Sequence, residues 1–219
     1  MEIIMKLQEK LDAMKKESLA GRPPEVVAVM VGEVEKLVQS GIADKAIKVG
    51  ETLPEFTLPD EEGNLVSSKD LLAKGPLAIS FYRGVWWPYC NAELEALQEV
   101  HGQVEKLGGS IITISPQLSK YSKQVVKKHQ LTYPVLIDKD NKYADKLGLI
   151  FTVPVKLQEV YSKFGIDLQR FNGYDTWELP MPSRFLVDST GIIRSTEVHA
   201  DHTVRPEPSD IIDFMKSLS

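Results

Sequence analysis

The chain has 219 residues, with 31 acidic and 26 basic side chains and a single cysteine. This length suits one domain of ordinary size with extensions, and it can bury a core without disulfide bonds. A net charge of -5 leaves no basic excess to neutralise phosphates, so nucleic acid is not an expected partner. The opening residues form too short an apolar run for a signal peptide and no later run is long enough to span a membrane, so we predict a cytoplasmic protein without membrane contact.

Two amphipathic helices are predicted ahead of the main domain. In residues 2–18 the apolar side chains that share one helix face are Ile4, Leu7, Leu11 and Met14. Two prolines break this helix, and a second apolar stripe follows them and ends near Gly41. We predict that residues 1–44 are a helical extension packed on the domain; a contact in a homodimer is the alternative.

Strands and helices alternate through residues 45–219. Apolar runs predict strands over 77–82, 110–115, 133–138 and 180–188, with helices between them and a last helix over 209–218. The run that begins at Pro180 continues through a turn into an antiparallel partner. This pattern predicts an α/β domain whose central mixed sheet is flanked by helices. Periodicity is weak over 150–178, which we interpret as an insertion in that domain.

Cys90 lies where the predicted strand 77–82 gives way to a helix. The apolar stripe that follows contains Leu94 and Leu97, so we expect Cys90 in the first helical turn. Free amides and the helix dipole at such a position favour a thiolate, and Arg83 adds positive charge nearby. We therefore predict a reactive cysteine in an electropositive, partly open setting; the alternative is a buried, inert side chain.

Two further groups of residues are of types that bind metals or substrates. The segment that holds His199, Asp201 and His202 contains metal-ligating residue types, but on a strand the two histidines would point apart. We therefore predict no metal site and no cofactor. The Trp86-Trp87 pair either lines a hydrophobic substrate pocket beside the thiol or packs in the core.

Three motifs between residues 50 and 194 resemble the AhpC/TSA peroxiredoxins and their thioredoxin-fold relatives. The motifs are Gly50-x-x-Leu-Pro-x-Phe-x-Leu-x-Asp-x-x-Gly63, Phe81-Tyr-Arg-Gly84 followed by Cys90-x-x-Glu-Leu94, and Pro182-x-x-Phe-Leu-Val-Asp-x-x-Gly-Ile-Ile-Arg194. The resemblance implies a thioredoxin-like fold and a peroxidase reaction in which the Cys90 thiolate attacks a peroxide and becomes a sulfenic acid. It implies Glu93 as a first-turn carboxylate, and Arg184 or Arg83 as the cation that stabilises the reacting atoms.

The single cysteine determines how such a peroxidase is reset. Without a second thiol in the chain, the reductant is an external thiol or Cys90 of another subunit. Thioredoxin, glutaredoxin and low-molecular-weight thiols are the expected classes of reductant, and a homodimer is an open alternative.

The sequence also departs from the usual peroxiredoxin pattern. Trp87 replaces the threonine expected three residues before the cysteine, and Arg83 replaces the proline expected seven residues before it. Pro182 stands where the family arginine is expected, three residues before Phe185. The Tyr89 hydroxyl or a backbone amide is a candidate to replace the missing threonine hydroxyl.

The same residues can be aligned in a thioredoxin-like register. Trp86-Trp87-Pro-Tyr-Cys90 resembles a Trp-Cys-Pro-Tyr-Cys redox motif in which tryptophan has replaced the first cysteine. In this alternative Cys90 is a resolving cysteine without its partner, and the protein is a degenerate module that binds a partner or has little redox activity. The thioredoxin pattern also implies a cis peptide bond before Pro182, facing Cys90.

Overall fold

The structure is a computed structural model and describes residues 6–218. Residues 2–5 of the first predicted helix, including Ile4, lie outside the described residues. Within the described chain, most predicted elements are present close to their predicted bounds. The helices are α1 (Leu7–Ala20), α2 (Pro24–Gln39), α3 (Ser68–Leu72), α4 (Pro88–Lys106), α5 (Ser119–His129), α6 (Lys142–Lys146), α7 (Val155–Lys163), α8 (Leu168–Asn172) and α9 (Ser209–Ser217).

The strands form one large sheet and two small ones. They are β1 (Thr57–Pro59), β2 (Leu65–Ser67), β3 (Leu77–Phe81), β4 (Ser110–Ser115), β5 (Val135–Ile137), β6 (Ile150–Thr152), β7 (Glu178–Pro180), β8 (Ser183–Val187) and β9 (Ile193–Val198). In the large sheet the order is β5-β4-β3-β8-β9, with β3, β4 and β5 parallel to one another and β8 antiparallel to both of its neighbours. The predicted central mixed sheet is confirmed.

The central strand β3 separates two apolar clusters because its side chains alternate between the faces of the sheet. Leu77, Ile79 and Phe81 pack on one face, and Ala78 and Tyr82 pack on the other. The second face carries α4, whose buried stripe includes Leu94, Leu97 and Val104. Ser80 shares that face, which places its hydroxyl opposite α4.

The N-terminal helix α1 packs on the face of the sheet that carries α4. Leu7 and Leu11 are buried in the same apolar cluster as Cys90, and α1 contacts α4. The second helix, α2, lies against α7 and contributes Met30 and Leu37 to the edge of that cluster. The position of the domain boundary at residue 44 stays a prediction.

The segment predicted as an insertion is bracketed by a small ribbon. Strands β6 and β7 pair antiparallel, and α7 and α8 lie between them. Tyr161 on α7 and Leu168 on α8 are buried in the cluster that contains Cys90. This segment therefore contributes side chains to the interior, although its status as an insertion stays a prediction.

A helix that crosses a membrane must be long and almost entirely apolar. No helix in the part of the chain that the structure describes meets both conditions.

The packing of α1 predicts a large loss of stability on truncation of its buried side chain. Leu11 has no exposed surface, so Leu11→Ala should lower the free energy of unfolding by about 2–5 kcal/mol, through lost burial and the cavity left behind. Urea unfolding followed by fluorescence measures this change. Lys16→Ala, on the exposed face of the same helix, should change it by less than about 0.5 kcal/mol. Equal effects of the two substitutions would show that α1 does not pack as described.

Candidate active site

Cys90 is the third residue of α4, directly after the turn that follows β3. Pro88 occupies the first helical position, and the extended backbone of Trp87 precedes it. Gly84, with φ of 148°, provides a backbone conformation that side-chain-bearing residues rarely adopt. The expected first-turn position of Cys90 is confirmed. The expected partly open setting is wrong, because Cys90 has no exposed surface.

Two donors contact the sulfur of Cys90. The backbone N–H of Arg83 lies 3.4 Å from Sγ, and Nη2 of Arg205 lies 3.6 Å from it. Donors with positive charge or dipole favour a thiolate over a thiol. The setting is therefore electropositive, as predicted, but its nearest guanidinium belongs to a residue that the sequence did not indicate.

Arg205 is held in place by a buried ion pair. Its Nε donates to Oε2 of Glu93 at 2.6 Å, and its Nη1 donates to the carbonyl oxygens of His202 and Val204. Burial alone lowers the pKa of Arg205, but the charges of Glu93 and Cys90 and the hydrogen bonds to both outweigh burial and raise it. Every nitrogen of this guanidinium has a partner, and the group is fixed as a cation beside Sγ.

Glu93 links the cation to the sheet. Its Oε1 accepts a hydrogen bond from the Ser80 hydroxyl at 2.9 Å, while Oε2 accepts from Arg205. Glu93 is buried, and it is the sixth residue of α4. The prediction of a first-turn carboxylate is therefore wrong in its placement, because the helix begins at Pro88 and Glu93 lies in the second turn, on the face directed at the sheet.

The Arg83 side chain is buried with few partners. Its Nη1 donates to the Tyr161 hydroxyl at 3.5 Å, and its Nε has no hydrogen-bond partner. The guanidinium lies over the rings of Phe151 and Trp87, at 5.0 and 5.9 Å from their centroids. Burial lowers the pKa of Arg83 and the like charge of Arg205 adds to this, while Tyr161 and Cys90 oppose it. The Nε–H of this guanidinium therefore remains available as a donor.

The buried charges around the sulfur do not balance without an anion. Arg83 and Arg205 provide two positive charges, and among residues 6–218 Glu93 is the carboxylate that contacts either guanidinium. Burial, together with the charge of Arg83, holds the pKa of His202 well below its ordinary value, so this imidazole is neutral at pH 7. The described side chains that contact the sulfur or its guanidinium neighbours therefore carry one positive charge in excess.

Trp87 and Tyr89 form the outer wall of this cluster. The Trp87 ring lies 4.9 Å from the ring of His202 and 5.4 Å from that of Tyr161, centroid to centroid. No hydrogen bond from either Trp87 or Tyr89 reaches Sγ in the described part of the chain, where the donors to Sγ are Arg83 and Arg205. The suggestion that the Tyr89 hydroxyl replaces the missing threonine has no support in this geometry, and a backbone amide, that of Arg83, takes this position.

A cavity of about 210 Å³ lies on the outer side of that wall. Trp87, Tyr89 and His202 line it on the site side, and α1 and α2 line it on the other. Trp87 therefore separates this cavity from the Arg83 guanidinium. Of the aromatic pair, Trp87 lines this cavity, whereas Trp86 packs inward against Tyr161 and Phe171.

Arg184 makes its hydrogen bonds away from Cys90, unlike the role that the resemblance implied for it. The guanidinium of Arg184 donates to the carbonyl oxygen of Glu207 at 2.6 Å and to Asp210 at 3.0 Å, at the start of α9. No hydrogen bond connects it with Cys90 among residues 6–218. The peptide bond before Pro182 is trans, as are all those of the described residues, so the expected cis bond is wrong.

No signal in the sequence could identify Arg205 as part of the site. It lies 115 residues after Cys90, in a stretch between β9 and α9 that has no periodicity. The histidines near it do not form a metal site: His199 pairs with Glu197, and His202 packs against Trp87. Within the described chain, no group of three metal-ligating side chains comes together.

Comparison with known proteins places this arrangement in a family. The AhpC/TSA family model matches residues 49–196. The thiol-disulfide oxidoreductase ResA of Bacillus cereus is 29% identical over 144 residues, which are 65% of this chain and 80% of that protein. The chloroplastic peroxiredoxin Q of Triticum aestivum is 27% identical over 148 residues, which are 66% of this chain and 68% of that protein.

Solved structures show the same fold. The crystal structure of peroxidoxin BcpB from Mycobacterium tuberculosis superposes with a TM-score of 0.61 at 18% identity, and covers 79% of this chain and 99% of its own. The predicted thioredoxin-like fold is confirmed by this likeness. With the family model matching well over half of its length, the chain belongs to the AhpC/TSA family.

Proposed function

We propose that this protein is a single-cysteine thiol peroxidase that reduces hydrogen peroxide or organic hydroperoxides through Cys90. The observation that carries the proposal is the buried charge imbalance: two guanidinium groups and one carboxylate surround a sulfur that accepts hydrogen bonds from Arg83 and Arg205. Membership of a family with peroxiredoxin relatives supports the same chemistry.

The proposed reaction uses groups already in place. The Cys90 thiolate attacks one peroxide oxygen, so an S–O bond forms as the O–O bond breaks. The sulfur is oxidised to a sulfenic acid by two electrons, and the departing hydroxide or alkoxide takes a proton from water. Negative charge moves from sulfur to the leaving oxygen, and in this proposal the unpaired Nε–H of the buried Arg83 guanidinium stabilises it.

An external thiol completes the proposed cycle. A first thiol condenses with the sulfenic acid, releasing water and forming a mixed disulfide, and a second thiol displaces Cys90 from that disulfide. Thioredoxin, glutaredoxin and low-molecular-weight thiols are the candidate reductants. Because Sγ is enclosed, the reductant reaches it only when a wall residue such as Trp87 moves.

A second candidate function is the degenerate thioredoxin-like module. Similarity to ResA, which is a thiol-disulfide oxidoreductase, and the position of Trp87 immediately before α4 favour it. In this alternative Cys90 is a remnant, and the protein binds a partner without turning over peroxide.

The peroxidase proposal predicts that peroxide converts Cys90 to a sulfenic acid. Hydrogen peroxide followed by dimedone should add one dimedone to the native wild-type protein, as measured by intact mass, and none to Cys90→Ser. The chain has one cysteine, so the mass change reports on Cys90 directly. A wild-type protein that gains dimedone only after unfolding in urea would contradict the proposal.

Arg205 and Arg184 are both buried, but only replacement of Arg205 should slow the peroxide reaction. Arg205→Met removes a charge-assisted hydrogen bond to Sγ and should lower the second-order rate with hydrogen peroxide by about 10–100-fold. Arg184→Met is the matched control, since this buried arginine contacts α9, and its rate should stay within about threefold of wild type.

Stopped-flow fluorescence measures both rates, with thermal unfolding to confirm that each variant folds. Because Arg205→Met leaves Glu93 buried without its cation, the double variant Glu93→Gln/Arg205→Met separates misfolding from lost chemistry. A double variant that folds and reacts at the wild-type rate would exclude Arg205 from the reaction.

The thioredoxin-like alternative predicts a gain of activity from one substitution. If Trp87 occupies the place of a lost cysteine, Trp87→Cys should form a reversible intrachain disulfide with Cys90 and acquire disulfide reductase activity, measured with an insulin reduction assay. Trp86→Cys, one residue further from Cys90, is the matched control and should not gain this activity. Failure of Trp87→Cys to form the disulfide would count against this register.

A further inference from the structure

We propose that Gln8, on the N-terminal helix α1, is a positioning residue that sets the ionisation of Cys90 by holding Arg205. This inference deepens the proposed function and rests on its thiolate chemistry. It assigns to the N-terminal extension a role in the site as well as in packing.

The side-chain amide of Gln8 bonds to the backbone on both sides of Val204. Its Oε1 accepts from the backbone N–H of Arg205 at 3.0 Å, and its Nε2 donates to the carbonyl of Thr203 at 3.2 Å. The two bonds span residues 203–205, so they fix the backbone from which the Arg205 side chain extends. Gln8 contacts neither Cys90 nor Glu93 by hydrogen bonding in the described chain; its effect on the sulfur passes through Arg205.

The rest of α1 fastens the same segment at two more points. The Glu207 carboxylate accepts hydrogen bonds from the backbone N–H groups of Leu7 and Gln8, both at 3.0 Å, which satisfies free donors at the helix N-terminus. At the other end, Lys15 pairs with Asp201 at 3.1 Å and donates to the Thr203 hydroxyl at 3.2 Å. Residues 201–207 therefore lie along α1 and are held there by these hydrogen bonds and the ion pair. We call this set of contacts the clasp.

This clasp matters because the segment has no helix or strand of its own. Residues between β9 and α9 owe their conformation to turns and to such side-chain contacts. The Arg205 Nη2 lies 3.6 Å from Sγ, near the limit for a hydrogen bond to sulfur, so a small shift of the backbone would break it. Misplacement by about 1 Å is enough to lower a rate substantially.

The contacts between α1 and Arg205 lie outside the region that matches the family model. The family model covers residues 49–196, and both partners of the clasp, α1 and Arg205, lie outside that range. The cation beside the thiol is therefore supplied after the matched region and held by a helix that precedes it.

The test compares three variants of the full chain at two neighbouring positions of α1. Gln8→Met removes both bonds to this segment, and a third from Nε2 to Asp12 at 2.8 Å, with little change in size. Gln8→Glu keeps the acceptor for the Arg205 amide, and Glu9→Met changes the exposed neighbour. The readouts are the pH profile of Cys90 alkylation by iodoacetamide, the rate with hydrogen peroxide, and the melting temperature.

We expect Gln8→Met to shift the midpoint of the alkylation profile to higher pH and to slow the peroxide reaction by about three- to tenfold. Gln8→Glu should recover at least half of the shift, and Glu9→Met should match wild type. A merely structural role would lower the melting temperature and leave the alkylation midpoint in place, and that result would overturn the inference.

The outcomes also separate this inference from the proposed function. If no sulfenic acid forms in wild type, the peroxidase proposal fails, while the alkylation profile still tests the link from Gln8 to Cys90. If wild type reacts with peroxide and Gln8→Met keeps the wild-type profile and rate, only the present inference is wrong. Should Gln8→Met not fold, Gln8→Glu compared with Lys15→Met applies the same readouts to the two ends of the clasp.

Discussion

The ion pair between Arg205 and Glu93 is the interaction on which the rest of the site depends. Removing two charges from water costs several kcal/mol for each ion, and the cost is offset only when the remaining donors and acceptors find partners. Here the second Glu93 oxygen binds Ser80, and the remaining Arg205 nitrogens bind two carbonyl groups and Sγ. The pair is thus complete, and it anchors a cation beside the thiol without consuming the charge of Arg83.

Arg83 makes the second contribution, which differs in kind. Its backbone N–H binds Sγ, whereas its guanidinium lies among aromatic rings with its Nε unpaired. A desolvated cation with free donors is unfavourable in the resting protein but well suited to stabilise an anion that appears during a reaction. Arg83 follows directly on the end of β3 in the central sheet. The sheet therefore fixes the backbone that carries the unpaired Nε–H of Arg83.

The helix position of Cys90 could be predicted from the local sequence pattern, whereas the neighbouring Arg205 could not, because the fold brings it there from a distant part of the chain. The stripe at Leu94 and Leu97 and the apolar run before Arg83 were sufficient to place Cys90 in the first turn of a helix after a strand. The family resemblance suggested Glu93 and, as the cation, Arg184 or Arg83, since it compares positions along the chain. Arg205 fills the space beside the sulfur from a segment without periodicity, and only the folded arrangement shows this.

The complete burial of Cys90 could not be predicted from the sequence either. Reactive cysteines usually lie in electropositive, partly exposed surroundings, whereas Cys90 lies in electropositive surroundings and is completely buried. Burial results from tertiary contacts, as Trp87 packs against His202 and Tyr161 contributed by distant segments. These side chains separate the buried thiol from an apolar cavity, and under the proposed function a movement of the Trp87 ring admits the substrate.

The two chain ends complete a site whose centre belongs to the matched family region. Residues 49–196 supply the sheet, Cys90, Glu93 and Arg83, while Arg205 and the helix that holds it come from outside that region. The family match therefore covers Cys90 but not Arg205, which contacts it. Trp87 and Pro182 stand at the threonine and arginine positions of the family, and under the proposed function Arg205 and the helix that holds it compensate for both changes.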